Sequence, residues 1–153
     1  MRPAEPHHLL RYLESRPDDA RALQRLGRWY RRRSRDAEAL DAWERSLRAD
    51  PCDPFTHLYL GNLFYKEEDW DAALERFGYA AMLDPDSPAP LWCQADVYEA
   101  QGCQELAEEY HRRAVELDPD DKQAVRLMEQ WRERQLGLRE VRERERDEDN
   151  YSD

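Results

Sequence analysis

Arg21, Arg25, Arg28 and Arg32 are separated by 4, 3 and 4 positions, the spacing that lines side chains along one face of a helix. Guanidinium groups in such a row grip carboxylates through paired, charge-assisted hydrogen bonds. The chemistry on offer is capture of an acidic segment or of a C-terminal carboxylate. The competing reading is a solvated face, with Arg31, Arg32 and Arg33 complementing the dipole at a helix C-terminus. Arg outnumbers Lys by 22 to 2 in this chain, and that bias alone supplies part of the stripe. Both readings stay open.

No other residues form a reactive set. His7 and His8 lie in a terminal segment and read as solvated polar residues. His57 and His111 fall at repeating positions, where packing or a hydrogen bond accounts for them better than a metal. Cys52, Cys93 and Cys103 are odd in number and show no C-x-x-C pairing, which predicts neither zinc site nor disulfide framework and fits a reducing compartment. There is no glycine-rich phosphate loop, no G-x-S-x-G and no H-E-x-x-H. The expectation is a protein with no catalytic residues, no cofactor and no metal.

Charge narrows the partners. The net charge of −11 argues against nucleic acid, whose phosphates need a positive footprint. The first 50 residues carry 12 Arg against 9 acids, and the remainder 12 Lys or Arg against 26 acids, an asymmetry that would orient a partner. No apolar run approaches the ~20 residues that span a bilayer, and Met1 to Leu10 has no apolar core of a signal peptide. A soluble cytoplasmic protein without membrane insertion is expected.

The elements that would position the stripe follow from periodicity. Pro17, Pro51, Pro85 and Pro119 recur every 34 residues, which marks a stacked helical array. In that register Gly27, Gly61 and Ala95 share one small position, and Tyr30, Phe64 and Tyr98 share a bulky one three residues on. Ala39, Ala73 and Ala107 form a second small column; Ser46, Ala80 and Ala114 form a third. Trp43, Phe77 and His111 share a large position. Small residues facing large ones let antiparallel helices interlock. Asp53 before Pro54, and Ser87 before Pro88, predict helix starts with a capping residue and a first-turn proline. First helices are predicted near 20–33, 54–66 and 88–100, and second helices near 36–48, 70–82 and 104–117. Leu9, Leu10, Tyr12 and Leu13 predict a preceding helix within residues 5–16. Ala124, Val125, Met128 and Trp131 predict a capping helix, since an end repeat otherwise leaves an apolar face in water.

These columns resemble the tetratricopeptide repeat family, whose signature is W-x2-L-G-x2-Y, A-x3-F and P over 34 residues. Repeat two matches at Leu60, Gly61, Phe64, Ala73, Phe77, Ala80 and Pro85, and repeat one at Leu26, Gly27, Tyr30, Ala39, Trp43 and Pro51. Repeat three departs at Gln94 and Ala95. The resemblance implies an all-α solenoid: an N-terminal helix (1–19), repeats at 20–53, 54–87 and 88–121, a capping helix with charged extension (122–146), and a disordered tail (147–153). It also implies a concave groove lined by the first helices. In this sequence those positions hold Arg21, Arg25, Arg28 and Arg32 in repeat one, Phe55, Tyr59, Asn62, Tyr65 and Lys66 in repeat two, and Trp92 and Asp96 in repeat three. The implied partner is a protein or peptide with acidic and apolar contacts; aromatic residues in such rows otherwise serve the core. The family's carboxylate clamp for chaperone tails is not implied, because Gln24, Arg28, Ala89 and Cys93 stand at its places. The sequence leaves a homodimer open.

The segment Phe77-Gly78-Tyr79-Ala80-Ala81-Met82-Leu83-Asp84, followed by Pro88 to Asp96, is similar to class II chaperones of type III secretion, which hold translocator proteins. That subtype tends to place aromatics where this chain has Gln24, Arg28 and Arg31. The alternatives are a general scaffold or assembly adaptor, or a purely structural part in which the N-terminal helix fills the groove.

Overall fold

A computed structural model describes the backbone of residues 6–150, with side chains for 6–146. Among the described residues the chain is all-α: α1 (His7–Ser15), α2 (Ala20–Arg31), α3 (Asp36–Ala49), α4 (Pro54–Lys66), α5 (Trp70–Leu83), α6 (Ala89–Ala100), α7 (Gln104–Leu117) and α8 (Lys122–Asn150). The expected helix–turn–helix order holds, with predicted ends displaced by at most two residues. Two compact units divide the chain, one up to Pro85 and one from Asp86. No helix among the described residues is long and apolar enough to cross a membrane.

In the first unit the interlock of small and large residues is literal. A methyl group on Gly27 would overlap the Trp43 indole, and one on Gly61 would overlap the Phe77 ring. Glycine is what lets α2 close on α3, and α4 on α5. Burial of a ring this size contributes on the order of 2–3 kcal/mol. The indole N–H of Trp43 donates to the carbonyl of Gln24 at 3.2 Å, so its polar atom is satisfied inside the core. Leu9 and Leu13 of α1 pack with Ala22, Leu23, Leu26 and Ala42, while Tyr12 is exposed and donates to Asp19 at 2.9 Å. Ala39 and Trp43 pack with Leu60 and Leu63. Ser46 fits its small column by donating its hydroxyl to the carbonyl of Ala20 at 2.8 Å.

Three of the helix starts are capped by aspartate, as helix-end chemistry favours. The carboxylates of Asp19, Asp53 and Asp69 accept from the backbone N–H groups of Ala22, Phe55 and Ala72. The expected start at Ser87 and Pro88 is shifted by one residue: α6 begins at Ala89 with Pro88 before it, and the Ser87 hydroxyl accepts from the Ala89 N–H at 3.4 Å. Helices α1, α3 and α7 begin without a side-chain cap. The turn inside each repeat carries a residue with positive φ, at Ser34 (56°), Glu68 (60°) and Gly102 (77°). These three positions are again 34 apart, a column the small-and-large analysis overlooks because only its third member is glycine.

The second unit packs α6 on α7 and both on α8. Leu91, Ala114 and Ala124 form one cluster, and Ala107, Met128 and Trp131 another. The capping function expected of Ala124, Met128 and Trp131 is therefore met. Beyond Trp131, α8 continues as an exposed helix through Arg and Glu, strong helix formers with no core periodicity. It reaches Asn150, past residue 146 where a disordered tail is expected; residues 151–153 lie outside the described residues.

Candidate functional site

The arginine stripe is a real feature of α2. Arg21, Arg25, Arg28 and Arg32 are all exposed, because the opposite side of the helix buries Ala22, Leu23, Leu26 and Gly27. None of the four makes an ion pair with a described residue. Arg25, Arg28 and Arg32, with Pro6, His8, Leu9 and Trp29, line a cleft of about 250 Å³ at the junction of α1 and α2.

On the neighbouring helix α4 the candidate residues divide. Asn62 is exposed, and its amide has no hydrogen-bond partner among the described residues. Phe55 is 58% exposed, a large apolar ring left in water. Tyr59 is half-buried and stacks on Trp43 with ring centres 5.4 Å apart, and the Arg28 guanidinium lies 5.6 Å from the centre of the same ring. Tyr59 is thus shared between surface and core, which the sequence does not reveal. Tyr65 is exposed and meets Trp70 edge-on. Lys66 is committed elsewhere: its ammonium sits 2.5 Å from Asp36, which also pairs with Arg31 at 3.6 Å. Gln24 is likewise tied, donating to Asp53 at 2.6 Å and Thr56 at 3.2 Å, which holds α2 against the start of α4. An amide held in this way does not reach out for a ligand carboxylate.

In the second unit Trp92 is half-buried against the Leu91, Ala114 and Ala124 cluster. Asp96 faces inward. Asp96, Glu99 and His111 bring one ligating atom each within 4.8 Å of one another. Burial, and then the neighbouring Glu99, push the Asp96 carboxyl up to about 6. Burial lowers the His111 imidazole below its ordinary value. Arg134 of α8 clamps Glu99 with two hydrogen bonds of 2.8 Å. His111 is 1% exposed, and neither ring nitrogen has a partner among the described residues. Of the two explanations expected for it, packing or a hydrogen bond, only packing is present among the described residues. His57 does have one, its Nε2 lying 3.0 Å from the carbonyl of Pro51. The thiols of Cys52, Cys93 and Cys103 are free, and burial, with Asp96 beside it, raises that of Cys93.

Two features escape the sequence. An open cavity of about 540 Å³ is lined by Glu44, Arg48, His57, Glu75, Arg76 and Tyr79 among others, residues drawn mainly from second helices rather than from the stripe-bearing ones. The Asp96–Glu99–His111 group is the other, and its only sequence signal is histidine in a column otherwise held by Trp and Phe.

Residues 7–54 and 58–122 match a family model described as tetratricopeptide repeat. The mouse (Mus musculus) protein O-mannosyl-transferase TMTC1 is 31% identical over 112 residues, which cover 71% of this chain and 12% of that protein. The chain therefore spans about an eighth of that relative's length. The crystal structure of MamA superposes with a TM-score of 0.73 at 19% identity, covering 86% of this chain and 77% of that one. The first TPR of Spaghetti (RPAP3), bound to the HSP90 peptide SRMEEVD, gives 0.67 at 19% identity, covering 76% and 93%.

Proposed function

The chain belongs to the tetratricopeptide repeat family, and from that premise we propose that it is a non-catalytic protein-binding module whose α2–α4 face takes an extended acidic segment of a partner. One observation carries the reading: four exposed arginines on a single stripe of α2, unpaired among the described residues, beside the free amide of Asn62 and the half-buried ring of Tyr59. Carboxylates of the segment would meet Arg21, Arg25, Arg28 and Arg32. Asn62 would bond its backbone, and Phe55 and Tyr59 would hold an apolar side chain. Trp92 and Asp96 lie in the other unit and are left out of this face. Lys66 joins it only by releasing Asp36.

The finer reading is a translocator chaperone of type III secretion. It is favoured by the exposure of Tyr79, Met82 and Leu83, which lie in the segment that carries that resemblance. A general scaffold in a larger complex needs only the arginine face.

The test is fluorescence anisotropy of labelled extended peptides, one alternating acidic and leucine residues, one with the acids replaced by glutamine, and SRMEEVD as a clamp-type control. Binding of the acidic peptide that falls tenfold or more in Arg25→Glu/Arg28→Glu, with a steep salt dependence, is expected. Equal binding by the glutamine peptide, or a salt-independent loss in the variant, would discard the arginine face. SRMEEVD is expected to bind less well, since Gln24 is tied and Cys93 is buried.

A further inference from the structure

The interior of the second unit holds a polar group that its neighbours leave without a function. In the first two repeats the large column is filled by Trp43 and Phe77, each lying over a glycine. The third repeat has Ala95 and His111 instead. The imidazole is smaller than either ring, so an alanine is accommodated where glycine was required. Volume alone would be served as well by an apolar side chain. An imidazole buried to 1% exposure with both nitrogens unpartnered among the described residues forfeits its hydration without a compensating bond. Such a group calls for a partner, and what lies next to it are the carboxylates of Asp96 and Glu99.

We propose that Asp96, Glu99 and His111 form a binding site for a divalent first-row cation of the zinc type, with Arg134 as the group that orients Glu99. The donor set is one imidazole nitrogen and two carboxylate oxygens. Nitrogen and oxygen donors of this kind suit zinc and its neighbours, and three protein ligands leave a fourth position for water or a partner's side chain. The three ligating atoms lie within 4.8 Å of one another. Around zinc, with bonds of about 2.0–2.2 Å, they would stand about 3.4 Å apart. Side-chain torsions of Asp96 and Glu99, both half-buried and on one helix a turn apart, can close that difference. Each oxygen of Glu99 accepts from Arg134 at 2.8 Å and retains a further lone pair, so the guanidinium can stay in place behind the metal as outer partners of ligands do. Charge agrees: two carboxylates and one guanidinium leave a local negative charge, which a cation meets. The site is independent of the arginine face, since its residues and those of α2 lie in different units.

Zinc alone is the probe. The full chain, stripped with a chelator, is titrated by calorimetry, while the ring resonances of the histidines are followed by two-dimensional 1H–15N NMR. One-to-one binding is expected, with the His111 resonances moving to metal-bound positions and the melting temperature rising. Asp96→Asn, which installs the amide found at the equivalent Asn62, is expected to weaken binding by about tenfold or more. The paired change His111→Phe/Ala95→Gly recreates the Gly61–Phe77 contact, so it keeps the fold and is expected to abolish the site. Equal zinc affinity in that variant, movement of His7 and His8 in place of His111, or no binding at about millimolar zinc would each overturn the proposal.

Discussion

The first two repeats and the third solve one packing problem with glycine in opposite places. Gly27 and Gly61 stand where a helix meets a buried ring, while the turns of those repeats force Ser34 and Glu68 to positive φ. In the third repeat glycine is in the turn, at Gly102, and the equivalent helix positions hold Ala95 and His111, both buried. The backbone demands are the same every 34 residues, yet the side chains that meet them are exchanged. Repeat geometry thus constrains the sum of fit and strain in a repeat, not each position separately.

The sharpest way to break this comparison is Gly61→Ala against Ala95→Gly. The first drives a methyl group into the Phe77 ring and is expected to cost about 2–3 kcal/mol. The second adds only the penalty of helical glycine, about 0.5–1 kcal/mol. Thermal melts read both, and equal losses would mean that the ring in repeat two moves aside freely. The turns supply a smaller, opposite pair. Glu68→Gly removes a left-handed side chain and is expected to stabilise by about 1 kcal/mol, whereas Gly102→Ala is expected to cost about as much. Urea midpoints decide it, and a loss on Glu68→Gly would show the turn to be unstrained.

The smallest effect concerns the aspartate caps that α2, α4 and α5 have and α7 lacks. The Ala22 N–H, and after it the Tyr12 hydroxyl, hold the Asp19 carboxyl below its ordinary value. A lowered carboxyl contributes stability above its unfolded pKa and loses it as pH falls through the folded one. Asp19→Asn keeps a capping oxygen and drops the charge. It is expected to lose a few tenths of a kcal/mol at neutral pH and to show a shallower acid limb in melting temperature between pH 2 and 5. An unchanged acid limb would mean that the Asp19 charge adds nothing beyond the cap.

How much of this was readable beforehand depends on distance along the chain. Helix order and register follow from proline spacing and small–large columns, because those features are local and repeated. The arginine stripe follows from spacing within one helix, and the exposure of Arg21, Arg25, Arg28 and Arg32 agrees with it. The fate of individual candidates does not follow. Lys66 is neutralised by Asp36, 30 residues earlier, and Glu99 by Arg134, 35 residues later. Charge pairs at that separation depend on how helices come together, and an acidic, arginine-rich sequence offers many equivalent pairings. The length of α8 escaped for another reason: a solvated Arg/Glu helix has propensity but no apolar period to mark its end.

Tyr59 carries a consequence for how this surface can change over generations. Its ring meets both the Arg28 guanidinium and the Trp43 indole, so one residue answers to two selective pressures. A substitution that tunes affinity for a new partner is also weighed by folding, and most drift there is purged before it can be tried. Asn62 and Phe55, exposed and owing nothing to the core, are free to vary. Divergence in specificity among descendants of this chain should therefore accumulate at the edges of Tyr59 and leave the ring itself in place.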